Sequence, residues 1–227
     1  MVKLIMSERA QLQIVCISDT HGFHREMTLP RGDIFIHAGD FLTDDRQLEV
    51  LADFNDWLGG LPYRHRIVVA GNHDLLFASN PSKARRLLTN AVYLENSGVT
   101  VEGLRFWGCP VTPVPSSMAF GVERGAASRK YWDKVPTETD VLITHGPPFR
   151  VLDAENILAP HMGCEQLTRA VLRAQPRLHI FGHVHGGYGR ETGPDGISFV
   201  NCAVLARLGR GEFGLRQPMV VELDRPS

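Results

Sequence analysis

The stretch Leu178-His179-Ile180-Phe181-Gly182-His183-Val184-His185-Gly186 decides how the chain is read. Four residues suited to a buried strand run into a glycine, two histidines one residue apart, and a second glycine. In an extended segment residues two apart share a face, so His183 and His185 would point one way while Val184 packs inward. The flanking glycines leave the backbone room to turn.

Four other apolar runs end in the same way. Gln13–Ile17 is followed by Asp19-Thr20-His21, Ile34–His37 by Gly39-Asp40, Ile67–Ala70 by Gly71-Asn72-His73-Asp74, and Val141–Ile143 by His145-Gly146. Helical patterns lie between the runs. The clearest is Asp45–Leu58, where Leu48, Leu51, Phe54 and Leu58 recur near the 3.6-residue period; Pro81–Leu88 and Gly163–Arg173 are two more. Continuous apolar strands alternating with helices predict an α/β layered fold whose sheet is covered on both faces. Residues 1–12 read as an N-terminal extension and 13–224 as a single domain with a surface insertion at about 109–134, rich in Pro and Ser and long enough to shape a pocket. Val99–Gly108 reads as a hairpin. FVNCAVL (199–205) and PMVVEL (218–223) read as strands of a second sheet that closes the domain.

Composition narrows the function. The chain has 227 residues, 43% hydrophobic and 22% charged, with 24 Lys and Arg against 25 Asp and Glu and a formal charge of −1. That is ordinary globular composition, with no global field to attract a polyanion, so nucleic acid is a disfavoured partner. Cys16, Cys109, Cys164 and Cys202 form no C-x-x-C pair and read as buried thiols of a reducing compartment. Glu8 and Arg9 interrupt the short apolar start before a signal region could form, and no run is long enough to span a membrane. A cytoplasmic location is expected, with the oligomeric state left open.

In open α/β sheets the residues beyond the strand carboxyl ends meet on one rim. That rim would gather two carboxylates, Asn72 and five of the ten histidines, His21, His73, His145, His183 and His185. A lone Asp-x-His carries little, because Asp19 could cap a helix. Gly-Asn-His-Asp and Gly-His-x-His have no obvious packing use. His37, His161 and His179 lack such context and read as structural, and His24 and His65 as solvated. Mixed imidazole and carboxylate donors suit Mn, Fe or Zn. Eight positions exceed what one ion requires, and two dications need an anionic bridge, for which Asp40 is suited.

D-x-H, GD, GNHD, H and GHxH, in this order from Asp19 to His185, resemble the calcineurin-like metallophosphoesterase superfamily. ISDTHG, GDIFIHAGD, THGPP and FGHVHGGYG with downstream Asn201 are similar to its small single-domain branch of metallophosphoesterase-domain cyclic-nucleotide phosphodiesterases. The resemblance implies a four-layer α/β/β/α sandwich with a dimetal site at the strand ends. It implies two divalent transition-metal ions, Mn first and Fe or Zn otherwise. One would be held by Asp19, His21, Asp40 and His185, the other by Asp40, Asn72, His145 and His183. His73 would protonate the leaving oxygen, and Asp74 would orient its ring. The implied function is hydrolysis of a small phosphodiester, such as a 2′,3′- or 3′,5′-cyclic nucleotide, by a metal-bridging hydroxide. The alternatives are a phosphomonoesterase or pyrophosphohydrolase of the same superfamily and a non-catalytic scaffold. Phe149 and Pro110–Phe120 are the expected pocket walls.

Overall fold

A computed structural model describes residues 11–209 and 212–226. The strand-forming runs build two sheets. In the first, β1 (Gln11–Ile17), β2 (Ile34–His37), β3 (His65–Val69) and β4 (Val92–Leu94) are parallel neighbours in that order. In the second, β5 (Ser97–Val101) pairs antiparallel with β6 (Leu104–Cys109), which continues in parallel to β7 (Val141–Thr144), β8 (Leu178–Phe181) and β10 (Ser198–Asn201), with antiparallel β9 (Gly189–Thr192) at the far edge. The β5–β6 hairpin is the expected one. Its turn residues Glu102 and Gly103 both have positive φ, 52° and 80°, which matches the right-handed twist of the flanking strands.

The period-2 alternation of each strand makes the layers. Ile14, Cys16, Ile34, Ile36, Ile67 and Val69 of the first sheet meet Phe106, Val141, Ile143, Leu178, Ile180 and Val200 of the second in one core. Their neighbours point the other way. Val15, Ile17, Phe35 and Val68 pack on Leu51, Phe54 and Leu58 of α1 (Gln47–Gly60) and on Phe77 of α2 (Leu75–Ser79). α3 (Pro81–Leu87) adds Ala84 to that core. On the opposite side Leu142, Phe181 and Phe199 pack on Trp132 of α4 (Ala126–Trp132) and on Leu167, Ala170 and Val171 of α5 (Glu165–Ala174). The result is the expected α/β/β/α sandwich.

Four expectations are corrected. The two tail strands do not share a sheet: β10 joins the second sheet, whereas β13 (Met219–Asp224) pairs antiparallel with β1 at the edge of the first. The segment at 109–134 is more than a surface insertion, because it contains α4 and buries Val111 and Trp132 in the second helical layer. His24 is fully buried, its Nε2 2.9 Å from Asp53 Oδ2 and its ring between Phe54 and Trp57. His65 is half-buried against Glu102. The extension at 1–12 lies largely outside the described residues, and β1 already starts at Gln11. His37 and His179 are structural as expected, buried in β2 and β8 and hydrogen-bonded to Thr20 and Thr144. All four cysteines are buried free thiols. Among the described residues no helix is long and apolar enough to cross a membrane.

Candidate active site

The parallel strands β1, β2, β3, β7 and β8 end on one rim, and their following residues converge there. Two groups form. Asp19, His21 and His185 bring ligand atoms within 4.8 Å of one another, and Asp40, His145 and His183 do the same. Asn72 belongs with the second group, its Oδ1 2.9 Å from His145 Nε2. Asp40 reaches toward both, with Oδ2 3.3 Å from His145 Nε2 and 3.9 Å from His21 Nε2. The structure thus brings together all seven residues expected to hold metal.

The local backbone explains the convergence. Asp19, His21, Asp40 and His183 all have positive φ, at 57°, 43°, 55° and 68°, a region that non-glycine residues occupy sparingly and that Asp and His tolerate better than most. The chain therefore turns sharply just after β1, β2 and β8, which aims these side chains across the rim rather than along a sheet face. This also corrects the extended reading of Gly182-His183-Val184-His185. His183 is left-handed and His185 begins a 3-10 turn, so the two rings diverge to different groups through a turn, with Val184 buried between them. At two glycines the close approach is obligatory. A Cβ at Gly71 would strike the Asp40 carboxylate, and one at Gly182 would strike Ser18 and the Asp19 carboxylate.

Asp19 and Asp40 are buried, and their ion pairs among the described residues are all to histidine. Burial favours the neutral acid for both, yet the imidazoles overcome it. His145 draws Asp40 down to about 2, and His185, His145 and His21 hold Asp19 well below the usual carboxylate range. Burial depresses His145, but Asp40 and then Asp19 lift it to about 9. His183 is pushed down to about 4 by burial and then by His145. One oxygen, Asp19 Oδ1, is buried without a hydrogen bond and stands 3.3 Å from His185 Nε2. An orphaned carboxylate oxygen among ring nitrogens, with no thiolate in either group, is a donor set suited to Mn, Fe or Zn. The residues fit a pair of such ions.

His73 and Asp74 part company. His73 is partly exposed in the pocket, its Nδ1 2.6 Å from Asp44 Oδ1, and its backbone N–H donates to Asp40 Oδ1 at 2.8 Å. Asp74 does not orient that ring. It is buried beneath the site, where its carboxylate accepts the backbone N–H groups of Gly71, Asp40 and Leu42 at 2.6, 2.9 and 2.9 Å. Burial and the neighbouring Asp40 raise it to about 7. Asp74 is the pin that fixes the two loops carrying Asp40 and Asn72. Asp44, four residues after Asp40, is the ring's partner.

A cavity of about 730 Å³ opens over the two groups, with His73 in its wall. The wall is not where the sequence placed it. Neither Phe149 nor any residue of Pro110–Phe120 lines it. That segment instead steadies Asn72, whose backbone carbonyl accepts from Ala119 N and whose Nδ2 lies 3.5 Å from Met118 Sδ. The outer wall comes from Glu155 and Asn156 and from a small hairpin, β11 (Leu205–Gly209) with β12 (Glu212–Leu215), that contributes Leu205, Arg207 and Phe213, followed by Arg216. Short hairpins carry no sequence signal for what they face.

Residues 12–187 match the profile of the calcineurin-like phosphoesterase family. The chain belongs to that family. It is 38% identical over 239 residues to metallophosphoesterase domain-containing protein 1 of Homo sapiens, covering 94% of this chain and 72% of the relative. It is equally similar, 38% over 206 residues, to a UPF0046 protein of Caenorhabditis elegans, covering 85% of this chain and 69% of the relative. A solved crystal structure superposes with a TM-score of 0.64 at 17% identity, covering 95% of this chain and 100% of its own, and at that identity it supports the fold alone. Family and geometry together support a phosphoester hydrolase with two candidate metal-binding groups.

Proposed function

We propose that the chain is a metal-dependent phosphodiesterase acting on a small diester, with cyclic nucleotides as the first candidates. The observation that carries the reading is the pair of carboxylate–imidazole groups, their carboxylates buried, at the floor of one open cavity, with His73 in its wall. Asp19, His21, Asp40 and His185 would hold one ion and Asp40, Asn72, His145 and His183 the other, with Mn favoured. When bound, the two ions supply Lewis acidity, activating water and neutralising the phosphoryl oxygens.

The protein's own residues do the rest. A carboxylate accepts only, so Asp44 accepts from His73 Nδ1–H and leaves Nε2 to face the substrate. In its doubly protonated form His73 delivers the Nε2 proton to the departing oxygen and is left as the neutral Nδ1–H tautomer still held by Asp44. Asp74 keeps Asp40 and Asn72 in register.

A model diester, a monoester and a dinucleotide polyphosphate, each assayed with Mn²⁺ after metal analysis of the purified protein, test the reading. Preferential turnover of the diester with two ions per chain is expected. Turnover of the monoester alone, or of the polyphosphate alone, would replace it with the corresponding activity.

A further inference from the structure

Arg207 and Phe213 are direct cross-strand partners on β11 and β12, so their side chains share one face of the hairpin. That face is a wall of the cavity. Phe213 is 53% exposed there although it is a large apolar ring. Arg207 is exposed, and among the described residues it has no hydrogen-bond or ion-pair partner. Neither side chain is used by the fold.

The base of the hairpin, by contrast, is anchored. Arg216 Nη1 donates to the carbonyls of His185 and Ala203 at 2.6 and 3.1 Å, and its guanidinium lies over the Tyr188 ring. Through His185 the hairpin is tied directly to the turn that carries two of the site histidines. A cavity of about 730 Å³ is far larger than a phosphoryl group requires and falls in the range of pockets that enclose an organic ligand.

We infer that this hairpin is the recognition wall of the site: Phe213 stacks on the planar base of a nucleotide, and Arg207 pairs with a phosphate other than the one hydrolysed, which narrows the cyclic-nucleotide candidates to those that carry a second phosphate, such as a nucleoside 2′,3′-cyclic phosphate with a 5′-phosphate. The inference rests on the phosphodiesterase reading for which phosphate reacts, but not for what the hairpin binds. A freely exposed ring offers a π face that any base can use, and a guanidinium beside it suits a second anion. Arg207 and Phe213 are specificity-determining residues, since neither belongs to the ligand groups or to the His73–Asp44 pair.

Isothermal titration of the Mn²⁺-loaded protein with ribose 5-phosphate, adenosine 5′-monophosphate and adenosine 3′,5′-bisphosphate tests it. The wild type should bind the monophosphate about tenfold more tightly than ribose 5-phosphate, the size of one base-stacking contact. Phe213→Ala and Phe213→Leu should both erase that preference, the second because it keeps apolar area but no ring. Arg207→Ala should reduce the preference for the bisphosphate over the monophosphate by about threefold at low salt, as expected for an exposed ion pair. Equal wild-type affinity for ribose 5-phosphate and the monophosphate, or a preference that survives in Phe213→Ala, would overturn the stacking assignment. An unchanged bisphosphate preference in Arg207→Ala would overturn the anion assignment. Failure of the wild type to hydrolyse bis(p-nitrophenyl) phosphate would refute the hydrolytic reading alone, because the binding comparison does not depend on turnover.

Discussion

Replacing His73 by alanine separates proton delivery from metal binding. His73 lies outside both ligand groups, and its backbone N–H, which holds Asp40 at 2.8 Å, survives the substitution. Metal content should therefore stay at the wild-type level. A positioned general acid contributes about 10²–10⁴-fold, or roughly 3–5 kcal/mol of barrier. That contribution is needed only where the leaving oxygen is basic. The expected result is a loss of about 10²–10⁴-fold on an alkyl or ribosyl ester and little loss on a p-nitrophenyl ester. Asp44→Asn should cost less. The Asp44 side chain is 75% exposed, so its Coulomb effect is screened, and the residual cost of a mispositioned ring is about tenfold. Stopped-flow or steady-state kcat over a leaving-group series, with metal content measured on the same samples, is the assay. Equal losses on both ester classes would refute the general-acid role, and loss of metal from His73→Ala would show that the ring acts as a ligand.

Two further outcomes follow from packing and titration. In Gly71→Ala the new methyl collides with the Asp40 carboxylate and backbone; activity and bound metal should both fall, with a stability cost of about 1–3 kcal/mol in urea denaturation, and a fully active, metal-replete variant would refute the tight fit. His37 and His179 are held down to about 3 by burial, whereas in the unfolded chain they take up protons near pH 6.5. Stability is therefore fully present above about pH 6.5 and is lost as pH falls toward 3, at up to about 1.4 kcal/mol per pH unit for each ring. His179→Gln should flatten the pH dependence of the denaturation midpoint across that window, and an unchanged slope would count against the neutral buried ring.

What the sequence revealed and what it hid divide along physical lines. Ile34–His37 and Leu178–Phe181 are continuous apolar runs bounded by polar residues, and the observed strands begin and end there. The seven clustered ligand-type residues were legible because strand ends in an α/β sheet converge wherever the chain travels between them. Asp44 was hidden because its role depends on the loop geometry after Asp40, and an acidic residue in a polar loop has many uses. Asp74 misled for the opposite reason: adjacency to His73 suggested contact, whereas neighbouring side chains in a turn point apart. His24 was hidden because its burial comes from Phe54 and Trp57, some thirty residues away. Arg207 and Phe213 sit on a hairpin whose facing surface is set by Arg216 and the His185 carbonyl, contacts with no local pattern.

The left-handed backbone at Asp19, His21, Asp40 and His183 also bears on how such a site persists over time. Each position holds an Asp or a His, which tolerates the left-handed conformation better than most side chains, yet glycine would sit there at less cost. A lineage released from the need for the activity would gain stability by replacing them. The site is thus the part of the sheet rim where drift toward a more stable chain and retention of function pull in opposite directions, and loss of activity in a descendant should register first at these four positions, ahead of the layers that carry the core.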